Sequence, residues 1–289
     1  MKREELVDVN VLELVRRAIA EDVGTGDVTT ESVIPEDHAS SGAIVMKSDG
    51  VVAGLDVAAA VFREIDRRIL FRPRARDGER VRSGAVLAVV DGPTRGILTA
   101  ERVALNFLQH LSGIATAAAS CAAILKGTRT RLLDTRKTTP GMRALEKYAV
   151  SVGGGLNHRA GLYDMVLIKD NHIDAAGGIG PAVAAARARH PELGLEVETK
   201  TLEQVRQAVA AGADRIMLDN MSVAQMKESI AVARAASSAP EIEVSGGVTP
   251  ESLTAIAGLG ADFVSVGALT HSVKALDISL ALSPRDQTP

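Results

Sequence analysis

The 289-residue chain has no tryptophan, two tyrosines and four phenylalanines. A core this poor in rings must be packed from Ala, Val, Leu and Ile. Single-stranded nucleic-acid binding relies on aromatic stacking platforms and has almost nothing here to build on. Net charge is scarce too: 33 Lys+Arg against 36 Asp+Glu leave −3, without the basic excess that draws proteins to a phosphate backbone. No nucleic-acid partner is expected. A single cysteine, Cys121, excludes an intrachain disulfide and a thiolate metal cluster. It lies in the apolar run 117–125 and reads as an inert buried thiol. His38, His110 and His190 have no ligand spacing around them, so no zinc site is read. The most apolar run, 114–125, is too short and too rich in Ala and Ser to span a bilayer. Met1-Lys-Arg-Glu-Glu opens an amphipathic stretch rather than a secretory signal. No membrane partner is expected, and the chain reads as cytoplasmic.

What is present is the composition of an ordinary globular protein, 46% hydrophobic and 24% charged, with length for one large domain or two smaller ones. Residues 11–20 and 56–68 read as helices and 42–47 as a strand. Residues 71–90 read as short strands broken by the turn dipeptides Asp77-Gly78 and Ser83-Gly84. This is an α+β unit. Gly24-Thr-Gly-Asp27 lacks both a third glycine and a preceding strand, so it reads as a plain turn rather than a dinucleotide loop. Residues 99–126 form a long helix with room for a bend at Gly113. On it, Val103, Phe107 and Leu111 share a buried face, while Arg102, Asn106 and Gln109 form a polar stripe. Periodicity alone makes Arg102 a solvated helix residue.

Beyond residue 130, short apolar runs alternate with helical segments. The runs are 131–133, 165–168, 195–197, 215–218, 242–244 and 263–266. Thr201-x-x-Gln204 and Ser222-x-x-Gln225 are capping boxes, Thr249-Pro250 is an N-cap followed by proline, and Gly212 closes a helix. This alternation predicts a parallel sheet with right-handed crossovers. Six units rather than eight predict an incomplete or modified α/β barrel, with a doubly wound sheet as runner-up.

In such a barrel the chemistry sits at the carboxyl ends of the strands. Those ends carry Asp134, Thr135, Arg136 and Lys137; Lys169, Asp170, Asn171 and His172; Glu198 and Lys200; Asp219 and Asn220; Ser245, Gly246 and Gly247; and Gly267 and Ala268. Gly-rich turns that open helices present free N–H groups suited to a phosphate. Arg136, Lys137, Arg159 and Lys169, with His158, would repel one another unless a polyanion fills the site. Glu198 and Asp219 end adjacent strands and suit Mg²⁺ shared with substrate oxygens, sugar hydroxyls, or ion pairs with neighbouring cations. The residues alone leave two chemistries open. One is phosphoribosyl transfer; the other is a Schiff-base aldolase using Lys137, Lys169 or Lys200 on a phosphorylated sugar. A non-catalytic metabolite-binding relative is a third possibility.

The motifs Glu21-Asp-Val-Gly-Thr-Gly-Asp-Val-Thr-Thr, Ala100-Glu-Arg-Val-Ala-Leu-Asn, Asp134-Thr-Arg-Lys-Thr-Thr-Pro-Gly, Gly153-Gly-Gly-Leu-Asn-His-Arg, Leu167-Ile-Lys-Asp-Asn-His, Glu196-Val-Glu-Thr, Met217-Leu-Asp-Asn, Glu243-Val-Ser-Gly-Gly and Ser265-Val-Gly-Ala-Leu-Thr-His-Ser stand together in this chain. As a set they resemble the quinolinate phosphoribosyltransferase family. They cover nearly the whole chain. The resemblance implies an N-terminal α/β sandwich domain (1–112, joined by 271–289) and an α/β barrel domain (113–270). It implies a homodimer or larger assembly in which Arg102 reaches the partner's active site, overturning the solvated reading. It also implies transfer of phosphoribosyl from phosphoribosyl pyrophosphate to quinolinate, giving nicotinate mononucleotide, pyrophosphate and CO₂ with Mg²⁺. On that basis Arg102, Arg136, His158 and Arg159 are expected to hold the quinolinate carboxylates. Lys137 and Lys169 would neutralise pyrophosphate, and Glu198 and Asp219 would bind ribose hydroxyls or Mg²⁺, directly or through water. Thr135 is placed in the site, and Ser245, Gly246, Gly247, Val266, Gly267 and Ala268 around the 5′-phosphate.

Overall fold

Residues 6–284 are described in a computed structural model. The Met1–Glu5 stretch of the cytoplasmic reading, and the last five residues of the expected 271–289 segment, lie outside them. The first elements are α1 (Val9–Val23), α2 (Val28–Val33), β1 (Ala39–Met46), β2 (Gly50–Val51), α3 (Leu55–Ile65), β3 (Leu70–Pro73), β4 (Arg80–Val81), β5 (Val86–Pro93) and α4 (Thr94–Leu125). Then come β6 (Arg131–Leu133), α5 (Arg143–Val152), β7 (Val166–Ile168), α6 (Asp170–Ala176), α7 (Ile179–Arg189), β8 (Leu195–Thr199), α8 (Leu202–Ala210) and β9 (Arg215–Asp219). The chain ends with α9 (Val223–Arg234), β10 (Glu241–Ser245), α10 (Pro250–Ala257), β11 (Phe263–Ser265), α11 (Ala268–His271) and β12 (Ile278–Pro284).

The chain divides into two compact units. One gathers the chain up to Ala119, the segment Thr139–Gly153 and the chain from Val273; the other comprises Ser120–Thr138 and Gly154–Ser272. The division falls inside α4 rather than after residue 112, because the helix packs as part of the first unit for most of its length.

In the first unit a sheet of order β12-β1-β5-β3 is antiparallel throughout. Of its central strands β1 is mostly buried, and β5 buries Leu87, Ala88 and Val90. Asp8 caps α1 by accepting the Val11 N–H at 2.9 Å, and Asp27 caps α2 by accepting from Thr30. Gly24 through Asp27 is therefore the expected turn between two helices. Helix α3 buries Leu55, Val57, Ala58, Ala60, Val61 and Phe62, an apolar stripe worth roughly 1.5–3 kcal/mol for each large side chain removed from water.

Helix α4 runs unbroken through Gly113, so the expected bend is absent as a helix break. The glycine serves close approach instead: a Cβ there would collide with the Lys274 carbonyl. The apolar stretch of α4 as a whole is long and apolar enough to cross a bilayer, a correction to the judgement made on 114–125 alone, but half of that window is buried inside the protein. Burial of this kind suits a core helix. Cys121 is buried, as expected.

The second unit is built on six parallel strands of order β6-β11-β10-β9-β8-β7. Strand β6 lies beside the last strand of its unit, as barrel closure requires, and the interior of the order never reverses as a doubly wound sheet would. Between β6 and β7 the wall stays open, and β6 makes a single parallel bridge to Leu156. The architecture is an incomplete α/β barrel. Its strands read as near-continuous apolar runs because both faces are covered. The expected start signals operate: Ser222 and Gln225 form a reciprocal capping box, Thr201 accepts from the Gln204 N–H, and Thr249 caps α10 with proline following.

Candidate active site

The strand ends of the second unit converge on one cavity of about 590 Å³. It is lined by Thr135, Arg136 and Lys137 after β6, Lys169 after β7, Glu198 on β8, and Asp219 ending β9. Ser245, Gly246 and Gly247 at the end of β10, and His158 and Arg159 from the segment before β7, line it too. Three residues expected around the 5′-phosphate, Val266, Gly267 and Ala268, do not line this cavity. Arg102 stands on the exposed side of α4, in the first unit. Val266 is buried, with its N–H donating to the Leu133 carbonyl at 3.0 Å. Gly267 and Ala268 open α11 without lining the cavity, and the Lys137 side chain lies against Gly267. Ser265, one residue earlier, lines the cavity in their place.

Two donors in this cavity are buried without a protein partner: the Ser265 hydroxyl and the Arg136 Nε. An orphaned buried donor carries a desolvation penalty of about 1–3 kcal/mol that a ligand oxygen removes. Burial, with Arg136 close by, pulls Arg159 below the usual guanidinium range. The cations are thus crowded, as a site for a polyanion requires. Lys169 Nζ lies 3.2 Å from Glu198 Oε2. Asp219 ends the neighbouring strand β9, and its Oδ2 accepts from the Asn220 side chain at 2.9 Å. Two carboxylates on neighbouring strands, opposite a cationic group, form a donor set that fits Mg²⁺ shared with substrate oxygens.

His158 behaves differently from expectation. Its Nε2 faces Glu196 Oε2 at 3.0 Å and Glu243 Oε2 at 3.4 Å. Its Nδ1 accepts the Arg159 backbone N–H at 2.7 Å, and its own N–H donates to Asp134 Oδ1 at 2.8 Å. Both ring nitrogens are engaged by protein, so the imidazole supports the Arg159 backbone rather than holding a substrate carboxylate.

The two carboxylates would push this imidazole up to about 9. That state needs a proton on Nδ1, where the Arg159 N–H already points. The extra proton therefore belongs on Glu196, whose carboxyl burial, with the Glu243 charge alongside, pushes up to about 7. The second oxygen of each glutamate lacks a protein partner. His158, Glu196 and Glu243 are close enough to ligate a cation. Arg215, 3.4 Å from Glu243 and 4.2 Å from the Phe263 ring centroid, already supplies positive charge there.

Sequence reasoning missed Ser265, Glu243, Leu167 and Met217 as cavity residues, and placed Asn220 at a strand end without giving it a role. For Ser265 a signal existed as well, because it stands at a strand end. Glu196, Glu243 and Arg215 were signalled by charge inside strands that are otherwise apolar.

Comparison with known proteins agrees with this architecture. The family described as quinolinate phosphoribosyl transferase, C-terminal domain, matches residues 114–281, and its N-terminal domain matches residues 27–112. The chain is 46% identical over 275 residues to the nicotinate-nucleotide pyrophosphorylase (carboxylating) of Mycobacterium leprae, covering 93% of this chain and 95% of that one. It is 44% identical over 268 residues to the probable counterpart of Bacillus subtilis, covering 92% and 91%. The solved nicotinate-nucleotide pyrophosphorylase of Francisella tularensis superposes with a TM-score of 0.89 at 40% identity, covering 95% of this chain and 96% of that one. The chain belongs to the quinolinate phosphoribosyltransferase family.

Proposed function

We propose that this protein transfers phosphoribosyl from phosphoribosyl pyrophosphate to quinolinate and decarboxylates the product. Nicotinate mononucleotide, pyrophosphate and CO₂ result, a step of de novo NAD synthesis. The observation that carries the proposal is the single cavity: Arg136, Lys137, Arg159 and Lys169 meet Glu198 and Asp219 there, beside two orphaned donors.

Arg136 and Arg159 bind the quinolinate carboxylates bidentately, with Arg102 of a partner subunit added to them. Support for the shared site comes from Arg102's exposed position, and from Val103, Asn106 and Phe107, which line a groove of about 360 Å³ within the first unit. The assembly is a homodimer or larger. Held this way, the pyridine nitrogen faces ribose C1; it carries no proton, so no general base is needed. Lys137 and Lys169 neutralise pyrophosphate as it departs. Glu198 and Asp219 hold ribose hydroxyls and stabilise positive charge developing on the ribosyl group. Ser245, Gly246 and Gly247, with the Ser265 hydroxyl, take the 5′-phosphate; Gly246 and Gly247 reach φ 94° and 55° in this turn. Glu198 and Asp219 would hold Mg²⁺ directly or through water, and the ion would supply charge neutralisation to the pyrophosphate. Once the nitrogen is alkylated, its positive charge stabilises the carbanion that remains when C2 loses CO₂, and that electron pair takes a proton from water to give the C2–H of the product. We place the protein in the cytoplasm.

The aldolase alternative needs a lysine kept neutral by a dry or cation-rich setting. Lys169 pairs with Glu198 and Lys200 with Asp170 at 2.6 Å, while Lys137 is exposed. Incubation with quinolinate, phosphoribosyl pyrophosphate and Mg²⁺ tests the reading. Nicotinate mononucleotide is expected. Equal use of nicotinate in place of quinolinate, or a substrate-linked lysine trapped by borohydride, would refute it.

A further inference from the structure

Among the described residues, Asn220 is the only one besides glycine with a left-handed backbone, at φ 54°. Non-glycine residues pay for this conformation, asparagine least, and where one persists the surrounding structure must enforce it. Asn220 directly follows β9, and its two donors point to two different strand ends. Its backbone N–H donates to the Ser245 carbonyl, the last residue of β10, at 3.0 Å. Its side-chain amide donates to Asp219 Oδ2 at 2.9 Å. The same amide is pressed against Gly246: a Cβ there would collide with Asn220 Oδ1 and lie 2.7 Å from the Asn220 nitrogen. Asp219, Asn220, Ser245, Gly246 and Gly247 all line the cavity.

We propose that Asn220 is a positioning residue that locks the Asp219 carboxylate to the Ser245–Gly247 turn. The inference rests on the reaction proposed above and names the part of the site that sets its ribose-phosphate geometry. A carboxylate on a free side chain samples several rotamers. The amide holds one Asp219 oxygen and leaves the other for the ribose or its metal ion. The left-handed backbone turns the amide back over Asp219 while its N–H secures β10. Since Gly246 has no side chain, the two turns can interleave. One residue thereby fixes the distance between the group that meets the ribose ring and the turn that meets its phosphate. Misplacement by about 1 Å in such a constellation is enough for losses on the order of a hundredfold.

The discriminating variant is Asn220→Gly. Glycine keeps the left-handed backbone and the N–H to Ser245 but removes the amide. The expected result is a kcat lower by about 10- to 100-fold, a raised KM for phosphoribosyl pyrophosphate, an unchanged KM for quinolinate, and a thermal midpoint equal to the parent's or higher. Asn220→Asp offers an acceptor where the donor stood and should lose at least as much. If Asn220 serves only the turn geometry, the glycine variant keeps parental kcat and both parental KM values, and the proposal fails. A uniform rise in both KM values at parental kcat also overturns it. Calorimetric binding of phosphoribosyl pyrophosphate with Mg²⁺ separates this claim from the reaction itself. If the parent binds it but makes no nicotinate mononucleotide, the proposed reaction fails. Asn220 is then judged by affinity alone: weaker binding to Asn220→Gly supports its role and equal binding refutes it. A parent that does not bind it overturns both.

Discussion

Replacing Glu196 by glutamine tests where the buried proton of the barrel resides. Glu196 is fully buried and its carboxyl is raised from 4.5 to about 7 by burial and by Glu243. A group whose proton affinity rises on folding contributes stability that is intact below its unfolded pKa and lost as pH climbs through the folded value. Glu196 therefore favours the fold below pH 4.5, and this contribution disappears as the pH passes about 7. At about 1.4 kcal/mol for each tenfold change in proton affinity, the full difference is on the order of 3 kcal/mol.

Glutamine mimics the protonated acid at every pH: its oxygen can accept from His158 Nε2 as the carboxylate does, and its amide brings no charge beside Glu243. Glu196→Gln should closely match the parent at pH 4 and exceed it at pH 8.5, by up to about 3 kcal/mol or several degrees in thermal midpoint. Differential scanning calorimetry of both proteins at the two pH values reads this directly, and taking the difference removes titrations common to both. The opposite sign, a variant less stable than the parent near neutrality, would mean that His158 carries the charge against an ionised Glu196. The proton assignment argued from the Arg159 N–H would then be wrong.

Further outcomes follow from the same geometry. Lys169→Ala and Arg102→Ala should each abolish turnover, and mixing the two inactive proteins under subunit exchange should restore part of it; no recovery would contradict a site shared between subunits. Removing divalent metal with EDTA should stop product formation and added Mg²⁺ should restore it, as steady-state rates would show. Gly113→Ala, which places a methyl group against the Lys274 carbonyl, should lower stability by about 1–3 kcal/mol in denaturant unfolding. Unchanged stability would mean that this contact relaxes freely.

Much of the barrel was legible because each of its strands is a short apolar run ending in polar residues, and the helices between them carry their own caps. Strand bounds moved by a residue or two, as with β8, which continues through Glu198 to Thr199. Strand β12 went unread although Ile278, Leu280 and Leu282 alternate in a two-residue period; its partner β1 lies far away in sequence. The cationic set was legible as residue types at strand ends. The role of His158 was not, because it depends on Glu196 and Glu243 on two other strands, which no local pattern connects to it. Gly113 shows the same limit: a glycine in a helix reads as a bend until the neighbouring backbone of Lys274 is known. The strand-end rule pointed to this stretch but did not separate Ser265, which lines the cavity, from Gly267, which does not.

The central claim is that ribosyl transfer and decarboxylation occur together at this one cavity. Quinolinate labelled in its 2-carboxyl group, supplied with phosphoribosyl pyrophosphate and Mg²⁺, measures that coupling. Coupled chemistry yields labelled CO₂ and nicotinate mononucleotide in equal amounts, with neither formed when phosphoribosyl pyrophosphate is left out. Label retained in the nucleotide, or CO₂ released without any nucleotide, would contradict it.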